Sequence, residues 1–176
     1  MRNEKLQKII LSAMFAALCC IATMIIRVPT FGTNGYVNIG DSIVLISAWI
    51  IGGPYGALAA GIGSALADLL AGYVAYVPGT FVIKFTMAFI GAKVYAVINK
   101  KISVNQVAYI SSAVVAEIIM IAGYFVYESV FLGYGLAAVP SIISNSVQGV
   151  TCLVIGVLLI NALKGSTYVF RQISKS

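Results

Sequence analysis

The chain has no histidine, five carboxylate side chains and one tryptophan in 176 residues. Without histidine there is no Ser-His dyad and no zinc motif of the HExxH kind, so paired carboxylates are the only acid-base machinery left to consider. Cysteine is scarce as well, and Cys19, Cys20 and Cys152 all fall inside apolar runs. A vicinal pair plus one distant thiol fits neither a zinc site nor a disulfide framework. They read as small packing residues, and no metal or cofactor is expected. Charge is the largest shortage: Asp, Glu, Lys and Arg make up 9% of the chain, against roughly 25% in soluble domains.

What fills the chain is hydrophobic, at 61% of residues with a mean hydropathy of +1.02. This is the composition of an integral membrane protein, with room for about six helices of roughly 20 residues and little else. Predicted spans are 6–26, 39–52, 54–72, 78–98, 106–132 and 138–163, forming one membrane domain over 1–176. The second is short for a bilayer and is separated from the third only by Gly53 and Pro54. A five-span count would invert everything after it.

Lysine and arginine are retained on the cytoplasmic side of membranes. With six spans, the inner segments hold Arg2, Lys5, Lys8, Lys93, Lys100, Lys101, Lys164, Arg171 and Lys175, and the outer loops hold only Arg27. The expected fold is therefore an all-α integral membrane protein, a compact bundle of six transmembrane helices with N and C termini cytoplasmic. The net charge of +6 follows from this bias and from attraction to the lipid bilayer, so no nucleic-acid partner is invoked. The first span is too long, and its flank too polar, for a cleaved signal, so it is expected to stay in the bundle.

Against this background Asp41, Asp68, Glu117, Glu128 and Lys84 lie in or at the edges of apolar runs. Each costs at least about 2.5 kcal/mol in hydrocarbon, so they should face protein or a water-filled cavity. Three consecutive spans carry polar stripes at helical spacing: Thr80, Lys84, Met87 and Gly91; Glu117, Ile121, Tyr124 and Glu128; Ser141, Asn145, Gln148 and Cys152. One reading is interhelical glue, with Lys84 paired to Glu117 and the Asn145 and Gln148 amides satisfying each other, for about 0.6 kcal/mol per contact. The other, preferred because so costly an arrangement would bring so little stability, is a ligand cavity.

Asp68 shares a small-residue face with Gly61, Ala65 and Gly72 and should be shielded from lipid, or else reach headgroups or loop amides from its helix end. In the first outer loop, 27–38, Pro29, Gly32 and Gly35 rule out a continuous helix, while Phe31 and Tyr36 supply large aromatic surface. A lid over a pocket and an interfacial anchor are both open there. On the first span Ala13 and Ala17 form a small-residue stripe, suited to internal packing or to a partner's helix.

The chain resembles the S components of energy-coupling-factor (ECF) transporters. The residues that carry the likeness are Ala13-x-x-x-Ala17, Asn38-Ile39-Gly40-Asp41, the run from Gly52 to Tyr73 with Ala67-Asp68, and Pro78-Gly79-Thr80 through Lys84. The stretch from Gly52 to Lys84 is similar to the riboflavin, pyridoxine and hydroxymethylpyrimidine branch. The resemblance implies a multi-pass protein of the bacterial cell membrane that is not an enzyme. It would bind a vitamin from outside and work with a transmembrane coupling protein and two ATPase subunits. It further implies that Lys84, Glu117, Tyr124, Asn145 and Gln148 line the pocket, Tyr36 and Asn38 close it, and Ala13 and Ala17 dock the coupling protein. Asp41 would accept from amides at a helix start, and Asp68 would tie down an outer loop.

Tyrosine faces for stacking, amides that read donors and acceptors, and a lysine and a carboxylate for polar substituents suit a small planar heterocycle with hydroxymethyl groups, a vitamin B6 or hydroxymethylpyrimidine type. Riboflavin is the alternative. A strongly cationic ligand such as thiamine would want more aromatic caging, and Trp49 lies away on the second span. Two other classes remain to be weighed. A self-sufficient ion-coupled carrier should show an inverted repeat, and the halves have no convincing self-similarity. An intramembrane enzyme would have to use Asp68 and Glu117.

Overall fold

The computed structural model describes residues 2–30, 33–101 and 105–165. Six α-helices follow one another: α1 (Arg2–Ile25), α2 (Gly40–Ile50), α3 (Gly53–Leu70), α4 (Val77–Lys101), α5 (Asn105–Val126) and α6 (Val139–Gly165). A hairpin of β1 (Arg27–Pro29) and β2 (Tyr36–Asn38) joins α1 to α2. Among the described residues four helical stretches, Glu4–Ile25, Val74–Lys101, Asn105–Phe131 and Gly135–Lys164, are long and apolar enough to cross a membrane.

The separation of α2 from α3 rests on two glycines. Gly52 and Gly53 have φ of 65° and 51°, a left-handed pair that side-chain-bearing residues avoid, and Pro54 then suits the first turn of α3. At 11 residues α2 rises only about 16 Å. It does not need the full bilayer thickness, because all of it but Ile43 and Ile50 is buried by protein. Trp49 fixes its far end: the indole Nε1 donates to Ser112 Oγ at 2.8 Å, and the ring meets Tyr109 edge-on at 4.8 Å. Val44, Leu45, Met87 and Met120 complete the core around it.

The α1–α3 contact is a backbone approach. A Cβ on Gly63 would stand 2.3 Å from the Ala16 carbonyl oxygen, so only glycine lets the helices meet there. Around the bundle, apolar side chains such as Leu58, Ile62 and Leu66 of α3 and Val147, Val150 and Leu158 of α6 are exposed. That outward face is what a helix bundle presents to lipid.

The segment 27–38, expected to be a loop, contains the hairpin. Arg27 pairs with Asn38, Val28 with Val37 and Pro29 with Tyr36, and Thr30 N–H closes the turn on the Gly35 carbonyl at 3.1 Å. Valines and a tyrosine suit a pleated ribbon, while Pro29 falls on the last pair, where its missing N–H matters least. Phe31 and Gly32 lie outside the described residues.

Candidate functional site

The hairpin covers one end of the bundle, and the polar stripes of α4, α5 and α6 meet beneath it in two layers. In the upper layer Tyr36 Oη donates to Asp68 Oδ1 at 2.6 Å, from β2 to the end of α3. Burial, and then the Asp68 carboxylate, hold the Tyr36 phenol above its ordinary pKa, so it stays a donor. Its ring lies 4.6 Å from that of Tyr73. Across the layer the Thr80 and Tyr124 hydroxyls share a hydrogen bond of 3.0 Å, and Tyr76 Oη donates to Glu128 Oε1 at 3.1 Å.

Glu128 owes its position to a change of helix type. After Val126, α5 continues as a π-turn over Tyr127–Phe131, which widens the helix and re-aims the side chains that follow. The turn is closed by Leu132 N–H on the Tyr127 carbonyl and Tyr134 N–H on the Glu128 carbonyl. The Tyr134 hydroxyl also takes the Asn34 side-chain amide at 3.1 Å, which latches the hairpin tip to this corner.

Tyr36, Asp68, Tyr76, Thr80, Tyr124 and Glu128, with Thr30, Gly35, Asn38 and Asn145, wall a polar cavity of about 20 Å³, enough for roughly one water. Glu128 is 2% exposed, and its Oε2 has no hydrogen-bond partner among the described residues.

The lower layer is closed on itself. Asp41, at the start of α2, forms an ion pair with Lys84 of α4. Its other oxygen accepts from Gln148 Nε2 of α6 at 2.5 Å. Gln148 Oε1 in turn accepts the Asn38 N–H at 2.6 Å, so the buried pair is tied to strand β2. Lys84 Nζ is also 5.1 Å from the Tyr124 ring centroid, directly joining the two layers. Asn38 Oδ1 accepts the Gly40 N–H at 2.8 Å, and its carbonyl oxygen is 3.4 Å from Cys152 Sγ.

A family model described as the S component of ECF-type riboflavin transporters matches residues 3–165. The chain belongs to that family. It is 33% identical over 136 residues to an uncharacterized protein in the gap 3′ region of Pyrococcus woesei, covering 77% of this chain and 87% of that one. It also shares its fold with a solved structure described as the S component of a bacterial ECF transporter, with a TM-score of 0.71 and 17% identity over 93% of this chain and 98% of that one. As an S component it is a multi-pass protein of the plasma membrane, and its family is a transporter component rather than an enzyme class.

In this S component four of the residues expected at the pocket, Tyr36, Asn38, Tyr124 and Asn145, stand on the cavity wall. Lys84 and Gln148 lie beneath it in the Asp41 cluster. The pairing expected for glue is corrected: Lys84 meets Asp41 rather than Glu117, and the Gln148 amide is engaged by Asp41 and Asn38 rather than by Asn145. The hydrogen bonds of Asp41 come from the Lys84 and Gln148 side chains, where amides at a helix start were expected. Asp68 does hold the loop, through Tyr36. Glu117 is buried at 4% exposure off the cavity wall, both oxygens without a hydrogen-bond partner among the described residues, beside the space left by Gly149.

Tyr76, Thr80, Asp68 and Glu128 are wall residues that the sequence reading did not assign to the pocket. Thr80 and Glu128 already sat on the polar stripes. Tyr76 lies in a 3₁₀ turn, Val74–Tyr76, too short to carry a periodicity. Ala13 and Ala17 stay exposed and line an apolar groove of about 660 Å³ between α1 and α3, beside Leu58, Ile62 and Leu66. Packing inside the bundle falls to Ala16 and Cys19, which face Gly63.

Proposed function

We propose that this substrate-binding S component captures a small, planar, hydroxylated heterocycle of the pyridoxine or hydroxymethylpyrimidine type. The observation that carries the reading is the polar cavity walled by tyrosine and threonine hydroxyls, two side-chain amides and two carboxylates under a hairpin of three residue pairs. Such a wall is rich in orientable donors and acceptors, and Tyr124 adds a ring face. At about 20 Å³ the cavity admits a vitamin only after the hairpin shifts, and a one-ring ligand demands the least opening. Tyr36 and Asn38 form the cover, while Tyr124 and Asn145 contact the ligand. Lys84 and Gln148 hold the floor, and Glu117 stands behind it.

The excess of lysine and arginine on one set of loops puts both termini in the cytoplasm and the hairpin outside. The groove at Ala13 and Ala17 then serves a transmembrane coupling protein, which with two ATPases drives release inward. Ala17→Leu would fill the groove, and loss of co-purification with vitamin binding retained is the expected result; intact assembly would remove the groove from the interface.

Riboflavin is the second reading, and the family description favours it. Denaturing the purified protein, identifying released small molecules by mass spectrometry, and titrating with pyridoxine, hydroxymethylpyrimidine and riboflavin separates the two. Binding of riboflavin alone would replace the one-ring ligand, and binding of no heterocycle would sink both.

A further inference from the structure

We infer that the hairpin opens as a flap hinged at Asn38, with Gln148 as the positioning residue that pins its base to α6, so that a guest enters past the tip. The inference rests on the reading of the hairpin as the cover of a vitamin site and divides that cover: Tyr36 moves, and Asn38 stays.

Asn38 ends β2, and α2 begins at Gly40. One face of α6 holds the Asn38 backbone at both polar groups: the N–H donates to Gln148 Oε1 at 2.6 Å, and the carbonyl oxygen lies 3.4 Å from Cys152 Sγ, one turn further along. The Asn38 side-chain oxygen takes the Gly40 N–H at 2.8 Å. Gly40 is itself pressed on α1, where a Cβ would overlap the Thr23 hydroxyl. Gln148 is 4% exposed, and its Nε2 is bonded to Asp41, the partner of Lys84. Swinging the base outward would strand the Gln148 carbonyl beside a buried ion pair, and a buried acceptor that loses its donor is costly.

The tip is held differently. Some of its hydrogen bonds are internal and would travel with it: Thr30 N–H to the Gly35 carbonyl, the Thr30 and Thr33 hydroxyls to each other, and Gly35 N–H to Thr33 Oγ1. Toward the bundle it offers the Asn34 amide to Tyr134 Oη in an exposed bond, Thr33 beside the Tyr76 hydroxyl, and the Tyr36 hydroxyl to Asp68. Gly35 rests on Glu128 Oε1 and Tyr76 Oη, where a Cβ would stand 3.1 and 3.2 Å away. Water replaces an exposed hydrogen bond at little cost, so the tip lifts first and uncovers the cavity on the side of Tyr76, Glu128 and Tyr134.

The test uses the whole protein in lipid nanodiscs. Hydrogen exchange of the ligand-free wild type needs neither a variant nor a ligand: the Asn38 and Gly40 amides should exchange as slowly as those in the middle of α6, because the open flap leaves them bonded. Exchange at these two amides about tenfold or more faster than in α6 would mean that the whole hairpin swings, and would overturn the inference.

The second arm ties down the tip. In Asn34→Cys/Tyr134→Cys a reducible bis-thiosulfonate bridges the two positions, with wild type treated in parallel to account for the native thiols. The probes are radiolabelled pyridoxine, hydroxymethylpyrimidine and riboflavin. A probe that binds should associate and dissociate about tenfold or more slowly once the tip is bridged, with the rates restored on reduction; rates unchanged by the bridge overturn the entry route. Adding Gln148→Leu to the bridged protein should restore probe exchange through the freed base and speed hydrogen exchange at Asn38 while α6 stays slow. A weakened fold would instead speed exchange in the helices too, and probe exchange that stays blocked would take the pin away from Gln148. If none of the three probes binds, the vitamin site falls, and hydrogen exchange in wild type still decides the hinge.

Discussion

The two polar layers beneath the hairpin are built from the same helical stripes and end differently. On α4, Thr80 belongs to the upper layer and Lys84, one turn on, to the lower. On α6 Asn145 and Gln148 divide in the same way. Below, Asp41, Lys84, Gln148 and the Asn38 backbone amide are bonded to one another. Above, the hydroxyls and carboxylates surround a cavity, and one Glu128 oxygen is left open. A polar stripe inside a membrane protein therefore does not announce a pocket. What separates stitching from recognition is whether the groups exhaust each other, and that can change within a single turn of helix.

The sharpest way to break this contrast is to remove one partner from the closed layer. Lys84→Met strands the Asp41 carboxylate in a dry interior and should cost about 3–5 kcal/mol, because breaking a buried pair leaves a charge uncompensated. Adding Asp41→Leu should recover a large part of the loss, although Gln148 Nε2 then lacks its acceptor. Thermal unfolding in detergent reads both. A single variant as stable as wild type would mean that the lower layer is not held by its ion pair.

A smaller effect is expected from the cover. Tyr36→Phe removes the donor to Asp68 Oδ1 and should cost about 1–3 kcal/mol, the penalty for an acceptor left unmatched. Strands of three residues cannot spread the damage, so it should appear as faster hydrogen exchange at the Val28 and Val37 amides and faster vitamin release, with the bundle still folded. If exchange in the helices rose equally, the hairpin would be part of the core rather than a cover upon it.

What the sequence made legible follows from periodicity. Long apolar runs set α1, α4, α5 and α6 to within a few residues, and the Gly52-Gly53-Pro54 break separates α2 from α3. The stripes named buried faces correctly: Thr80, Lys84, Glu117, Glu128, Asn145 and Gln148 are all buried. Periodicity gives an angle around a helix and says nothing about which neighbour stands at the same depth. That is why Lys84 was matched to Glu117 when Asp41, on a helix of only 11 residues, reaches it first. The hairpin has strands too short to show alternation. The π-turn that turns Glu128 toward the cavity breaks the helical spacing on which the reading depended.

Glu117 gives the smallest expected effect and tests the boundary between the layers. Its two oxygens have no hydrogen-bond partner among the described residues, and Gly149 leaves the room it occupies: a Cβ there would lie 3.2 Å from Glu117 Oε2. A carboxylate that makes no hydrogen bond contributes no pair energy, so Glu117→Gln should change unfolding stability by less than about 1 kcal/mol, or raise it by removing a buried acid. Vitamin affinity should also stay within about twofold, less than the loss of one hydrogen bond, because Glu117 is off the cavity wall. The family resemblance implied the opposite, a contact with the ligand. A tenfold or greater loss of affinity in Glu117→Gln, with stability unchanged, would extend the pocket down into the lower layer and dissolve the distinction between the two.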